Sequence, residues 1–144
     1  MILISLITII TLIIAGLFHF YWAFDGKIGL NRAIPTINGK ALLNPSKFLT
    51  MLVGLIILSF GWVAYALSFK DLSIVSYSEQ IVYMGWLLSG IFFIRTVGDF
   101  NTVGLFKKIK LTKFSEFDTK YFVPLTFFWS ISFVLITYQA QQNF

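Results

Sequence analysis

Three stretches of more than twenty residues carry no Asp, Glu, Lys or Arg: Met1 to Phe24, Phe48 to Phe69 and Tyr121 to Phe144. A fourth, Gln80 to Ile94, extends to Tyr77–Gly98 when Glu79 and Arg95 sit near its ends. A helix that crosses a bilayer needs about 20 predominantly apolar residues, so the chain reads as four spans. Only 12% of its residues are charged, against roughly 25% in soluble domains, too few to coat a globule of this size. Seventeen Phe residues rule out a disordered chain by the same reasoning. The expected fold is an all-α integral membrane protein: a four-helix transmembrane bundle, up-down-up-down, in one domain. The spans fall at about 2–24, 48–69, 78–98 and 121–142, with connecting loops at 25–47 and 99–120.

The first run is expected to be retained as a span. No basic side chain precedes its apolar core, and bulky Phe18–Phe24 stands where a signal peptidase would need small residues.

The few charges set the orientation. The connector after the first span carries Lys27, Arg32, Lys40 and Lys47, and the one after the third carries Lys107, Lys108, Lys110, Lys113 and Lys120, with Arg95 at its entrance. Ten of the eleven basic residues thus share one side, and only Lys70 lies on the other. By the positive-inside rule that side is cytoplasmic and both termini are extracytoplasmic. The formal +5 is accounted for by this bias, and a nucleic-acid partner is not expected. The asymmetry argues against dual-topology fluoride channels. No acid in mid-span carries a coupled proton as in small multidrug antiporters. The absence of cysteine excludes thiolate chemistry, Cys-ligated metal and the quinone-reducing thiol enzymes of similar size.

Local signals fill in the loops. Gly26, Gly29, Pro35, Gly39 and Pro45, interleaved with Ile28, Leu30, Ile34, Ile37 and Leu42, predict a compact surface loop. Asn44-Pro45-Ser46 is a start signal for the second span. A short turn from Lys70 to Ser78 makes the second and third spans antiparallel neighbours. Leu105 to Lys113 alternates apolar and basic residues, as an interfacial segment facing an anionic leaflet would. Small residues recur at helical spacing: Ser5, Thr8, Ala15 and Gly16 on the first span, Gly54, Gly61, Ala64 and Ser68 on the second. Gly85 and Ser89 follow on the third, Thr126 and Ser130 on the fourth. They read chiefly as packing seams.

The remaining polar groups gather at the end that carries the long loops. His19 lies about two turns inside the first span, followed by Trp22 and Asp25. Arg95 and Asp99 stand at i and i+4, a spacing that lets them pair on one helix face. Asp118 precedes the fourth span and suits a helix N-cap. Ionisable groups at membrane depth mark a functional site by default. The competing reading is structural: Arg95 snorkelling beside Asp99, His19 holding a loop carbonyl, Trp22 in the aromatic belt. One His gives neither a bis-His haem nor a metal triad. His19 with Asp25 or Asp99 suits general acid–base work, and Arg95 suits a phosphate or carboxylate.

At these residues the chain resembles a family of small bacterial four-span membrane proteins known only as a domain of unknown function. The resemblance rests on His19-Phe20-Tyr21-Trp22-Ala23 with Gly26, on Pro35, and on Arg95-Thr96-Val97-Gly98-Asp99-Phe100. It continues through Gly104-Leu105-Phe106-Lys107-Lys108, Phe114, Asp118-Thr119 and Pro124, and so covers most of the chain. One departure is Gly26 followed by Lys27, where a second small residue is expected. The resemblance implies which residues matter and supplies no reaction and no cofactor.

Two functions are expected. The first is a small accessory or binding protein of the bacterial inner membrane. Its polar layer of His19, Trp22, Asp25, Arg95, Asp99 and Asp118 would hold an anionic membrane lipid, a partner membrane protein or a second copy. The second is an enzyme acting on an isoprenoid, quinone or lipid headgroup, with His19 as acid–base and Arg95 as anion clamp, which requires a cleft reaching His19. A channel would need polar residues past the midplane, and Ser5, Thr8, Ser89 and Thr126 are too sparse for that.

Overall fold

A computed structural model describes residues 1–70 and 78–142. The expected Lys70–Ser78 turn lies, apart from its two end residues, outside them. Four helices are long and apolar enough to cross a membrane: α1 (Ile2–Ala23), α3 (Lys47–Phe69), α4 (Ser78–Val97) and a last helix running from Lys113 to Gln142. That last helix has three parts: α5 (Lys113–Phe117), a π-helical turn (Asp118–Phe122) and α6 (Val123–Gln142). It begins well before the charge-free run, because Lys113, Glu116, Asp118 and Lys120 enter a helix whose first turns lie outside the apolar stretch. The loop after α1 holds one helical turn, α2 (Leu30–Ala33), and a two-stranded hairpin, β1 (Thr36–Ile37) and β2 (Lys40–Ala41). Asn38 and Gly39 between the strands both have positive φ, 50° and 76°, as the tightest hairpin turns require.

Cross-helix contacts define the order. Gly16 of α1 meets Gly54 of α3 so closely that a Cβ on Gly16 would lie 3.1 Å from the Gly54 carbonyl oxygen. Farther along, the Ser68 hydroxyl donates to Ser5 Oγ at 2.9 Å. These pairs make α1 and α3 antiparallel, and small side chains permit the approach, as membrane packing demands. Helices α4 and α6 pair likewise: Thr96 with Thr126 at 3.0 Å, and Ser130 donating to the Ser89 carbonyl at 3.0 Å. The two pairs join through buried aromatics. Phe92 of α4 contacts Phe60 of α3 and stacks on Phe133 of α6, and Trp129 of α6 donates to Thr11 of α1 at 2.9 Å. Outward faces remain apolar, with Leu3 70% and Ile94 68% exposed, which suits contact with lipid. The architecture is a four-helix membrane bundle, and α1, α3, α4 and α6 run alternately up and down.

Both long loops therefore lie at one end of the bundle. There α3 starts as its sequence indicates: Ser46 is the N-cap, its hydroxyl accepting from the Leu49 N–H. The expected interfacial segment 105–113 takes a different form. Lys107 in it is 3% exposed, turned inward by a buried carboxylate.

Candidate functional site

Between the α1–α3 and α4–α6 pairs, at the loop end, lies a cavity of about 520 Å³. Its wall is mainly apolar: Ile14 and Phe18 from α1, Leu125 and Trp129 from α6. The roof comes from loop elements, Gly29 and Ala33 around α2 and Phe114 and Phe117 of α5. Three features hold this roof on. The Trp22 indole N–H donates to the Ile28 carbonyl at 2.8 Å, the Arg32 guanidinium sits 4.5 Å over the Phe117 ring, and Phe114 is buried. A cation over a ring face contributes roughly 0.5–2 kcal/mol. The volume is that of an ordinary small-molecule site.

Ionisable side chains meet this cavity from two sides. His19 and Trp22 come from the last turns of α1, with ring centroids 5.1 Å apart, and Arg95 comes from the last turn of α4. His19 Nδ1 lies 2.8 Å from the Ala15 carbonyl oxygen. A carbonyl only accepts, so Nδ1 carries the hydrogen and Nε2 of the neutral ring is left as an acceptor.

Behind Arg95 stands a carboxylate shared by two cations. Asp118 is fully buried. Its Oδ1 accepts from Arg95 Nη2 at 2.7 Å, and its Oδ2 accepts from Lys107 Nζ and from the Gly104 N–H, both at 2.9 Å. Lys107 also donates to the Gly104 carbonyl at 3.0 Å and to Thr119 Oγ1 at 2.7 Å. The other terminal nitrogen of Arg95, Nη1, is buried without a partner among the described residues.

This arrangement corrects two expectations. Arg95 does not pair with Asp99. Gly98, at φ 91°, ends α4 after Val97, so the i,i+4 geometry is lost at the residue that was to supply the partner. Nor does Asp118 cap a helix. The cap is Thr112, whose hydroxyl accepts from the Ser115 N–H at 3.0 Å, and Asp118 opens the π turn within a helix already formed.

Of the six residues expected in one polar layer, His19, Trp22 and Arg95 line the cavity and Asp118 holds Arg95 from behind. Asp25 pairs with Lys47 on the surface, where it ties the end of α1 to the start of α3. Asp99 folds back on its own loop, accepting from the N–H groups of Asn101, Thr102 and Val103 and from the Thr102 hydroxyl. Neither lines the cavity, so the pairing of His19 with Asp25 or Asp99 for acid–base work is not formed.

Burial pulls the Asp99 carboxyl upward, but the Thr102 hydroxyl and the three backbone N–H groups outweigh it and hold the group well below the usual carboxylate range. Its folded pKa is thus below the unfolded one, and its contribution to loop order is present above the ordinary value of 3.8. That contribution is lost as pH falls from there through the depressed folded value. The Asn101, Thr102 and Val103 amide resonances should stay constant from pH 7 to about pH 4 and move only below it. A titration centred above pH 4 would contradict this.

Gly104, Lys107 and Phe114 are among the residues that carry the family resemblance but were not expected in the polar layer, and Phe117 was not singled out at all. Lys107 is one of five lysines in a basic run, and nothing local marks it as the one turned inward. Gly98 did carry a signal: a glycine just past an apolar helical run favours a left-handed C-terminal stop.

Fold and site together define a multi-pass membrane protein with an apolar cavity between two helical hairpins and a buried ion cluster at its wall. The chain belongs to the family described as "Protein of unknown function (DUF3995)", which matches residues 12–133 and so takes in the cluster and all of the cavity lining but Thr11. No curated protein and no solved structure matches it.

Proposed function

We propose that the protein is a lipid-binding membrane protein whose cavity takes an amphiphile from the bilayer, with the tail among Phe18, Leu125 and Trp129 and the head beside His19 and Arg95. The observation that carries this reading is the cavity: apolar over most of its wall, yet with its ionisable residues drawn from the loop-side ends of α1 and α4. Such a mixture of an apolar enclosure and a few convergent polar groups is the usual form of a ligand site. At roughly 30 Å³ for each water-sized group, 520 Å³ accommodates about one acyl chain. The one-sided Lys and Arg distribution supports a cytoplasm-facing site in a bacterial inner membrane, where the loop lysines would draw anionic lipid toward the mouth.

The enzymatic reading has less support. His19 is oriented by a backbone carbonyl and not by a carboxylate, and among the described cavity-lining residues the other ionisable group is Arg95, a permanent cation unsuited to the opposite role in acid–base chemistry. Arg95 remains placed to hold an anionic head in either case.

Native mass spectrometry of gently extracted protein tests the proposal. One bound lipid per chain is expected. Ala33→Trp, which fills the roof without touching the helix seams, should lower its occupancy more than about tenfold. Wild-type protein that carries no lipid, or occupancy unchanged by Ala33→Trp, would overturn the reading.

A further inference from the structure

In the cluster beside the cavity two cations share one carboxylate. Lys107, with a side chain 2% exposed, places its donors on Asp118, the Gly104 carbonyl and Thr119. Both oxygens of Asp118 are occupied as well. Among the described residues neither Arg95 nor Lys107 has a second ion-pair partner. With all three groups ionised, the cluster keeps one positive charge that no group among the described residues balances.

That surplus falls on Arg95. The ammonium of Lys107 is fully bonded, whereas Arg95 has a buried nitrogen, Nη1, with no acceptor among the described residues. Arg95 also forms part of the cavity wall. The Arg95 side chain is 32% exposed, yet a buried donor left without an acceptor is costly, and a guanidinium meets an oxyanion with short, strong hydrogen bonds. A neutral head such as an alcohol or a quinone would leave the surplus in place.

We infer that the cavity selects a lipid whose head is a singly charged oxyanion, a carboxylate or a phosphodiester, because one negative charge neutralises the Arg95–Asp118–Lys107 cluster. This rests on the cavity being a lipid site, and adds the charge and chemical class of the head. Lys107 acts as a positioning residue: it does not line the cavity, yet by sharing Asp118 it leaves the Arg95 charge free to act on a ligand.

The test is a native mass spectrometry titration of delipidated protein in a non-ionic detergent with three single-chain probes: palmitate, palmitoyl-lysophosphatidylglycerol and hexadecanol. At least one of the two anions should bind roughly tenfold to a hundredfold more tightly than the alcohol. The tighter of the two identifies the oxyanion. Arg95→Gln should bring that ratio close to one. Its fold is protected because Asp118 retains Lys107 and the Gly104 N–H. Lys107→Met should also lower the ratio, although it leaves the cavity wall untouched, because the remaining Arg95–Asp118 pair is neutral. A role for Lys107 in packing alone would change both affinities together and leave the ratio as it was, which counts against the inference. If hexadecanol binds wild type as tightly as both anions, and Ala33→Trp abolishes all three, the charge inference fails and the cavity reading stands. If none of the probes binds, both fail.

Discussion

Replacing Asp118 with Ala should destabilise the loop end of the bundle by about 3–5 kcal/mol, the usual consequence of removing one partner from a buried ion pair. The cost arises chiefly at Lys107, whose side chain is 2% exposed and would be left as an unpaired ammonium beside Gly104 and Thr119. Arg95 contributes less, because its side chain is 32% exposed and water can screen it. The Gly104 N–H loses its acceptor as well. Thermal unfolding in detergent reads the effect as a large drop in Tm. A double variant, Asp118→Ala with Lys107→Met, should recover a substantial part of the loss, since it removes the orphaned charge along with its partner. A single variant that melts like the wild type would show that the cluster is not closed to water.

Gly98→Ala is expected to be nearly as damaging, for a reason of backbone shape. Gly98 has φ 91° and Gly104 has φ 90°, and the two pack against each other where the chain folds back over the end of α4. A Cβ on Gly98 would lie 1.8 Å from the Val103 carbonyl oxygen and 2.6 Å from Gly104 Cα. Both obstacles are backbone, so no side-chain rotation relieves them. The left-handed conformation alone costs roughly 1–3 kcal/mol for a residue with a side chain, before any clash is counted. The effect should spread, because the same loop is bonded to α4 through Leu105 N–H to Thr96 O at 2.9 Å and presents the Gly104 N–H to Asp118. Loss of exchange protection at the Gly104 amide, together with lowered Tm, would check it. Gly90→Ala is the control: among the described residues nothing beyond its own stretch of helix lies within 4 Å of a Cβ there, and φ is ordinary, so its stability should be near that of the wild type. Equal stability of Gly98→Ala and Gly90→Ala would refute the account.

The four spans were legible because the bilayer imposes a coarse requirement, some twenty residues without charge, that a linear reading can count. Ser46 was legible because an N-cap is a local event. His19, Trp22 and Arg95 were placed at one level by depth alone, and all three do line one cavity. What depth could not supply was the identity of partners. The spacing of Arg95 and Asp99 gives a pair only if the helix continues through both, and Gly98 stops it. The true partner stands 23 residues away, beyond a loop whose fold depends on two glycines meeting. Lys107 was hidden by composition: in a run of lysines, burial of one is decided by which of them meets a carboxylate after folding. The Asn38-Gly39 dipeptide carries a hairpin-turn signal of known geometry that the expectation of a compact surface loop left out.

The π turn at Asp118–Phe122 has a consequence for how the site is encoded. A turn of this kind carries one residue more than an α-helical turn, and each residue of a helix advances about 100° around the axis. With one residue fewer between 118 and 122, the preceding part of the helix would rotate by that angle relative to α6. Asp118 would swing away from Lys107 and Gly104, and Phe114 and Phe117 would leave the roof. The wall of the cavity is thus specified by a count as well as by residue types. Two chains of this kind could share every side chain of the pocket and still differ in what they hold, if they differ in length by a single residue here.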